Sequence, residues 1–98
     1  MRRASKIDRT QPEIVAALRS VGASVQSLAA VGAGVPDLLI GWRGDTWLIE
    51  CKDGSLPPSG QALTPDQVAW HAAWRGRPVW VVRSADEALA AMGATCRA

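Results

Sequence analysis

The residues best suited to chemistry are Asp37, Glu50 and Lys52. Two carboxylates and an ammonium gathered at one point suit a divalent ion and a water beside a phosphate. Thirteen positions separate Asp37 from Glu50, so the chain between them must fold back on itself. Leu38 to Trp42 and Thr46 to Lys52 carry strand-like alternation, and Gly44-Asp45 fits a two-residue type II′ turn with glycine first. In that register Arg43 faces Thr46, Trp42 faces Trp47, Ile40 faces Ile49, Leu39 faces Glu50 and Asp37 faces Lys52.

Side chains alternate along strands, so Leu38, Ile40, Trp42, Trp47, Ile49 and Cys51 share a buried face. Asp37, Leu39, Leu48, Glu50 and Lys52 share the other. Asp37 is then diagonal to Glu50, with Cβ atoms roughly 5–8 Å apart. A slip of one residue would send the two sets to opposite faces. An Asp–Lys pair on neighbouring strands is also an ordinary solvated ion pair; Glu50 on the same face favours a site.

The remaining elements follow from caps and breakers. Thr10-Gln-Pro-Glu13 resembles a capping box, with Thr10 as N-cap, and opens a helix that buries Ile14, Val15, Leu18 and Val21 before Gly22 stops it. Residues 23–29 form a first strand, and 31–36 a glycine-rich bend. Residues 53–60 form a loop by composition. Thr64-Pro-Asp-Gln67 repeats the box and starts a helix to about Arg75, ended by Gly76. Residues 78–82 form a buried strand and Ser84 caps a last helix over about 85–92. The order α-β-β-β-α-β-α predicts an α/β fold, one mixed β-sheet flanked by helices. We expect a basic N-terminal arm (1–10), one domain (11–92) and a short tail (93–98).

With 98 residues and 48% hydrophobic content, one soluble domain is expected. No apolar run nears the ~20 residues that span a bilayer, and the N-terminus lacks a signal-like apolar stretch. Two cysteines, Cys51 and Cys96, argue against a disulfide scaffold, so a reducing cytoplasm is expected. They lack zinc-ligand spacing, and Gly32-Ala-Gly34 opens no nucleotide-binding helix. The net charge of +2 says little, but Arg2, Arg3, Lys6 and Arg9 crowd the first ten residues and Arg75, Arg77 and Arg83 cluster later. The arm is a candidate nucleic-acid contact or a solvated extension. The five tryptophans replace every other aromatic residue and are expected to carry much of the core. His71, the one histidine, reads better as a half-buried or surface residue than as a cleft residue.

Pro36-Asp37 with Glu50-Cys51-Lys52 resembles the PD-(D/E)xK nuclease superfamily, and more narrowly the compact VRR-NUC domains of phages and bacteria. Gly34-Val-Pro-Asp37, Leu63-Thr-Pro-Asp-Gln67 and the tryptophan-bearing helix before Pro78 to Arg83 carry the likeness over residues 11–92. The resemblance implies a restriction-endonuclease-like fold and Mg²⁺- or Mn²⁺-dependent DNA hydrolysis. It implies metal ligation by Asp37, Glu50 and the Cys51 backbone carbonyl, with Lys52 orienting water and stabilising charge. It adds Glu13, from the first helix, as a further metal or water ligand and Gln67 as a catalytic-site residue; both compete with capping roles. The resemblance further implies structure-directed cutting of branched, flapped or four-way-junction DNA. It allows a homodimer, or a helicase or other replication or repair protein as partner. The competing expectations are a nucleic-acid-binding subunit that needs a partner for activity, and an interaction protein using its tryptophan face.

Overall fold

A computed structural model of the chain describes residues 9–94. The elements are α1 (Thr10–Ser20), β1 (Ser24–Ser27), β2 (Leu38–Trp42), β3 (Asp45–Cys51), α2 (Pro58–Gln61), α3 (Pro65–Ala73), β4 (Trp80–Val82) and α4 (Ala85–Met92). They build one mixed sheet in the order β1-β2-β3-β4, antiparallel except for the parallel β3–β4 pair. A parallel pair requires a crossover, and the segment carrying α2 and α3 supplies it. The expected fold class and element order are therefore present, with α2 an added single turn inside the expected 53–60 loop.

The core lies on one face of the sheet. Ile14 and Leu18 of α1, with Ala88 and Met92 of α4, pack against Leu38, Ile40, Trp47, Ile49 and Val82. The helix ends explain how α1 turns into β1. Gly22 is left-handed at φ 92°, its N–H donates to Arg19 O (3.0 Å), and the Ala23 N–H donates to Leu18 O (3.1 Å). This is a Schellman closure, with Ala23 and Leu18 joined in the core. At the other end the expected Thr10 box is not formed. Arg9 is the N-cap, without a side-chain cap, and Thr10 is the first helical residue. Glu13 thus moves to the fourth helical position, where its N–H donates to Arg9 O (3.0 Å) and the reciprocal box spacing is lost.

The β2–β3 hairpin has the expected faces but a different register. Leu38 pairs with Ile49, Leu39 with Leu48, Ile40 with Trp47, and Trp42 with Asp45. The turn residues are Arg43 and Gly44, both with positive φ (50° and 80°), the signature of a type I′ turn rather than the expected type II′. Arg43 lies over the Trp42 ring at 4.4 Å. Each partner moves by two residues, so the alternation survives. Continuing the ladder one step puts Asp37 opposite Glu50, not Lys52.

The tryptophans contribute less to the core than expected. Trp47 is buried and Trp42 partly so, its indole N–H donating to Val21 O (3.0 Å), whereas Trp74 and Trp80 are over 40% exposed. Small and aliphatic residues from α1 and α4 fill the space instead. β4 is correspondingly an edge strand, with only Val82 buried. α3 ends at Ala73, earlier than expected, because Trp74 leaves the helix with extended ψ (127°) while stacking on Trp70 at 4.8 Å.

Gly34 positions α3. It is left-handed (φ 85°), and a Cβ there would collide with the backbone carbonyl of Asp66 in the first turn of α3. Gly32 has similar φ (72°) but open space around it. Gly34→Ala is expected to cost about 2–5 kcal/mol, from left-handed strain and overpacking together. Gly32→Ala should cost only about 1–2 kcal/mol. Urea denaturation of both variants measures the difference, and equal losses would show that the close approach is not tight.

Candidate active site

The site forms where β2, β3 and α3 meet, on the sheet face opposite the core. Asp37 immediately precedes β2, and its backbone is fixed by the Leu28 N–H donating to Asp37 O (2.8 Å). Its side chain crosses to β3, where Oδ2 accepts the Cys51 N–H (2.7 Å). Glu50 is 1% exposed, a rare condition for a carboxyl group. Lys52 follows the end of β3 and is half-buried; its backbone N–H donates to Val82 O (2.9 Å).

Gln67 ties these groups together. Its backbone N–H donates to Thr64 Oγ1 (3.2 Å) and its Oε1 accepts the Thr64 N–H (2.9 Å), completing a capping box. The same Oε1 accepts from Lys52 Nζ (3.0 Å), and Nε2 donates to Glu50 Oε2 (3.1 Å). Capping and site roles, which compete on sequence grounds, are performed together because a carbonyl oxygen has two lone pairs and the amide keeps two donors.

Burial first, then hydrogen bonding to Asp37 and repulsion from its charge, push the Glu50 carboxyl from 4.5 up to about 8, while Lys52 acts in the opposite direction. Two adjacent carboxyls that resist joint ionisation are well suited to a cation, which would remove the conflict. A second observation supports this fit: no donor reaches Glu50 Oε1, although it is sealed from solvent. His71 Nε2 is the facing atom, 3.5 Å away and itself without a hydrogen-bond partner. Burial, then the Lys52 charge, holds the His71 pKa below its ordinary value, so the contact is not a standing ion pair at neutral pH. His71 lies one turn beyond Gln67 on α3; that i, i+4 spacing was the one sequence signal for its place in the cleft.

Glu13 is exposed on α1, a helix whose Ile14 and Leu18 enter the core on the far face. Among the described residues, no group of three or more His, Cys, Asp or Glu side chains is assembled as a metal cage. Arg2, Arg3 and Lys6 lie outside the described residues, while Arg9 is exposed at the start of α1. Of the later arginines, Arg77 pairs with Asp45 (2.6 Å) over the Trp47 ring, and Arg83 donates to Gln61 Oε1 (2.6 Å). Asp53 is a turn residue, accepting from the Ser55 N–H (2.9 Å) and hydroxyl (2.6 Å). Leu39 and Leu48, which alternate with Asp37 and Glu50, continue the site face into an apolar hollow of about 260 Å³ walled by Trp70 and Trp74.

The raised Glu50 pKa has a definite sign. The folded state holds a proton that the unfolded state has released, so this stabilisation is full below 4.5 and is lost as pH rises through about 8. His71 acts oppositely below its ordinary 6.5, leaving pH 6.5–8 as the clear window. Metal-free protein should lose stability across that window in urea titrations, and Glu50→Gln should remove the slope. An unchanged slope in the variant would assign it to another group.

No family model and no curated protein matches the chain. Among solved structures, one described as a VRR_NUC domain is similar over 92% of this chain and 97% of its own, with a TM-score of 0.67 and 29% sequence identity. This chain therefore has the VRR-NUC domain fold that its motifs resemble.

Proposed function

We propose that this protein is a metal-dependent endonuclease that hydrolyses DNA phosphodiester bonds, directed by DNA structure rather than by base sequence. The carrying observation is the buried Glu50 carboxylate, gripped on one oxygen by Gln67 and left without a donor on the other. Asp37, Glu50 and the Cys51 backbone carbonyl would hold Mg²⁺ or Mn²⁺, with water and a phosphate oxygen completing the shell. Such an ion, when bound, polarises the phosphate and lowers the pKa of water. Glu13, exposed on α1, would add a further metal or water ligand.

The chain's own groups divide the remaining work. Lys52 uses one of its three N–H donors on Gln67, which leaves two for the attacking water and a phosphate oxygen. An ammonium is a poor base, so Lys52 orients that water and stabilises the charge that develops on phosphorus oxygens. As the water oxygen bonds to phosphorus, the bond to the leaving oxygen breaks. Gln67 holds Lys52 and Glu50 at a fixed spacing throughout, and the Cys51 N–H keeps Asp37 turned toward β3.

No helix among the described residues is long and apolar enough to cross a membrane. A domain this small offers little surface to grip a duplex, so a homodimer and phosphate contacts from Arg2, Arg3, Lys6 and Arg9 belong to the same proposal. Two sites on a two-fold axis would suit a four-way junction, and light scattering of the free protein would test the dimer.

Labelled duplex, flap and four-way-junction DNA should be cut with Mg²⁺ or Mn²⁺ and left whole in EDTA. Lys52→Ala should slow cutting by about 10²-fold or more. Thr64→Ala should cost about 1 kcal/mol of stability, as a lost cap does, with cutting largely kept. Gln67→Ala should lose both. DNA binding without cutting of any substrate would point instead to a nuclease subunit that needs a partner protein; neither binding nor cutting would favour an interaction protein.

A further inference from the structure

Glu50 Oε1 and His71 Nε2 face each other from β3 and α3, 3.5 Å apart, each sealed from solvent and each without a hydrogen-bond partner. The spacing is too long for an ordinary N–H···O bond. It does fit two ligands of one ion: at roughly 2.0–2.2 Å from a common centre and 90–110° apart, ligand atoms stand roughly 2.8–3.6 Å from each other. Glu50 Oε2 is already committed to Gln67, so Oε1 is the oxygen left to coordinate. Gln67 and His71, one turn apart on α3, thus attend to the two oxygens of the same carboxylate.

We propose that His71 Nε2 is a ligand beside Glu50 Oε1, giving the site a nitrogen donor and a preference for Mn²⁺ over Mg²⁺. This inference rests on the metal-dependent reading above. An imidazole adds affinity for transition ions, whereas Mg²⁺ prefers oxygen ligands and retained waters. Because no three His, Cys, Asp or Glu side chains among the described residues are already gathered as a cage, solvent and substrate oxygens would fill much of the shell. That leaves the ion open to a phosphate.

The decisive experiment is pulsed electron paramagnetic resonance on the untagged full chain loaded with Mn²⁺. With one histidine in the sequence, an imidazole nitrogen signal has one source. The expected result is ¹⁴N modulation in the parent protein and its loss in His71→Gln. Calorimetry should show Mn²⁺ bound about tenfold or more weakly by that variant, with Mg²⁺ affinity changed by about threefold or less. Circular dichroism of His71→Gln and His71→Ala separates a lost ligand from a lost fold, and the parent spectrum needs neither variant. Bound Mn²⁺ without nitrogen modulation would overturn the inference and leave the metal site standing. Failure of the parent protein to bind Mn²⁺ would overturn both.

Discussion

The side-chain amide of Gln67 is the contact through which the two halves of the site hold each other. Its oxygen bonds the Thr64 N–H and the Lys52 ammonium, and its nitrogen bonds Glu50. The first of these fixes where α3 starts; the others fix where the Glu50 carboxyl and the Lys52 ammonium stand relative to that start. The start of α3 and the placement of the two side chains therefore share one amide. A buried carboxylate is costly unless its oxygens are satisfied; this contact satisfies Oε2 of the 1% exposed Glu50, while Oε1 stays without a donor.

That contact depends on backbone geometry elsewhere. α3 can approach the sheet closely because Gly34 has no Cβ to meet the Asp66 carbonyl. The same bend leads into Pro36, fully buried, and then Asp37, whose carboxylate is caught by the Cys51 N–H. Thus one glycine sets the height of α3, and the following residues aim an acid at β3. The core on the opposite face supplies the rigidity: Leu38, Ile40 and Ile49, all fully buried, alternate with the residues that form the site.

The hairpin shows how alternation can be legible when register is not. Core-facing and site-facing residues follow from a period of two, which a shift of two residues leaves intact. Pairing partners depend on the turn, and Arg43-Gly44 with Gly44-Asp45 offers two plausible two-residue turns. The type I′ choice requires a left-handed arginine, which propensity disfavours and the finished sheet imposes. Likewise the tryptophans have the size for a core, but Trp74 and Trp80 fall just past the end of α3 and on an edge strand, where both stay exposed.

Sequence by itself determined the element order, the two faces of the hairpin, the α3 and α4 caps and the membership of Asp37, Glu50 and Lys52 in one neighbourhood, to which the family resemblance added Gln67. These are local properties, carried by periodicity and by side chains that bond their own backbone. Tertiary structure alone decided that Asp37 lies across from Glu50, that Glu13 stays exposed on α1, and that His71 faces Glu50. Each depends on how far one element slides or rotates against another, a distance set by close contacts such as Gly34 against Asp66. No pattern along the chain encodes such a distance, because the contacts that fix it join residues more than a dozen positions apart.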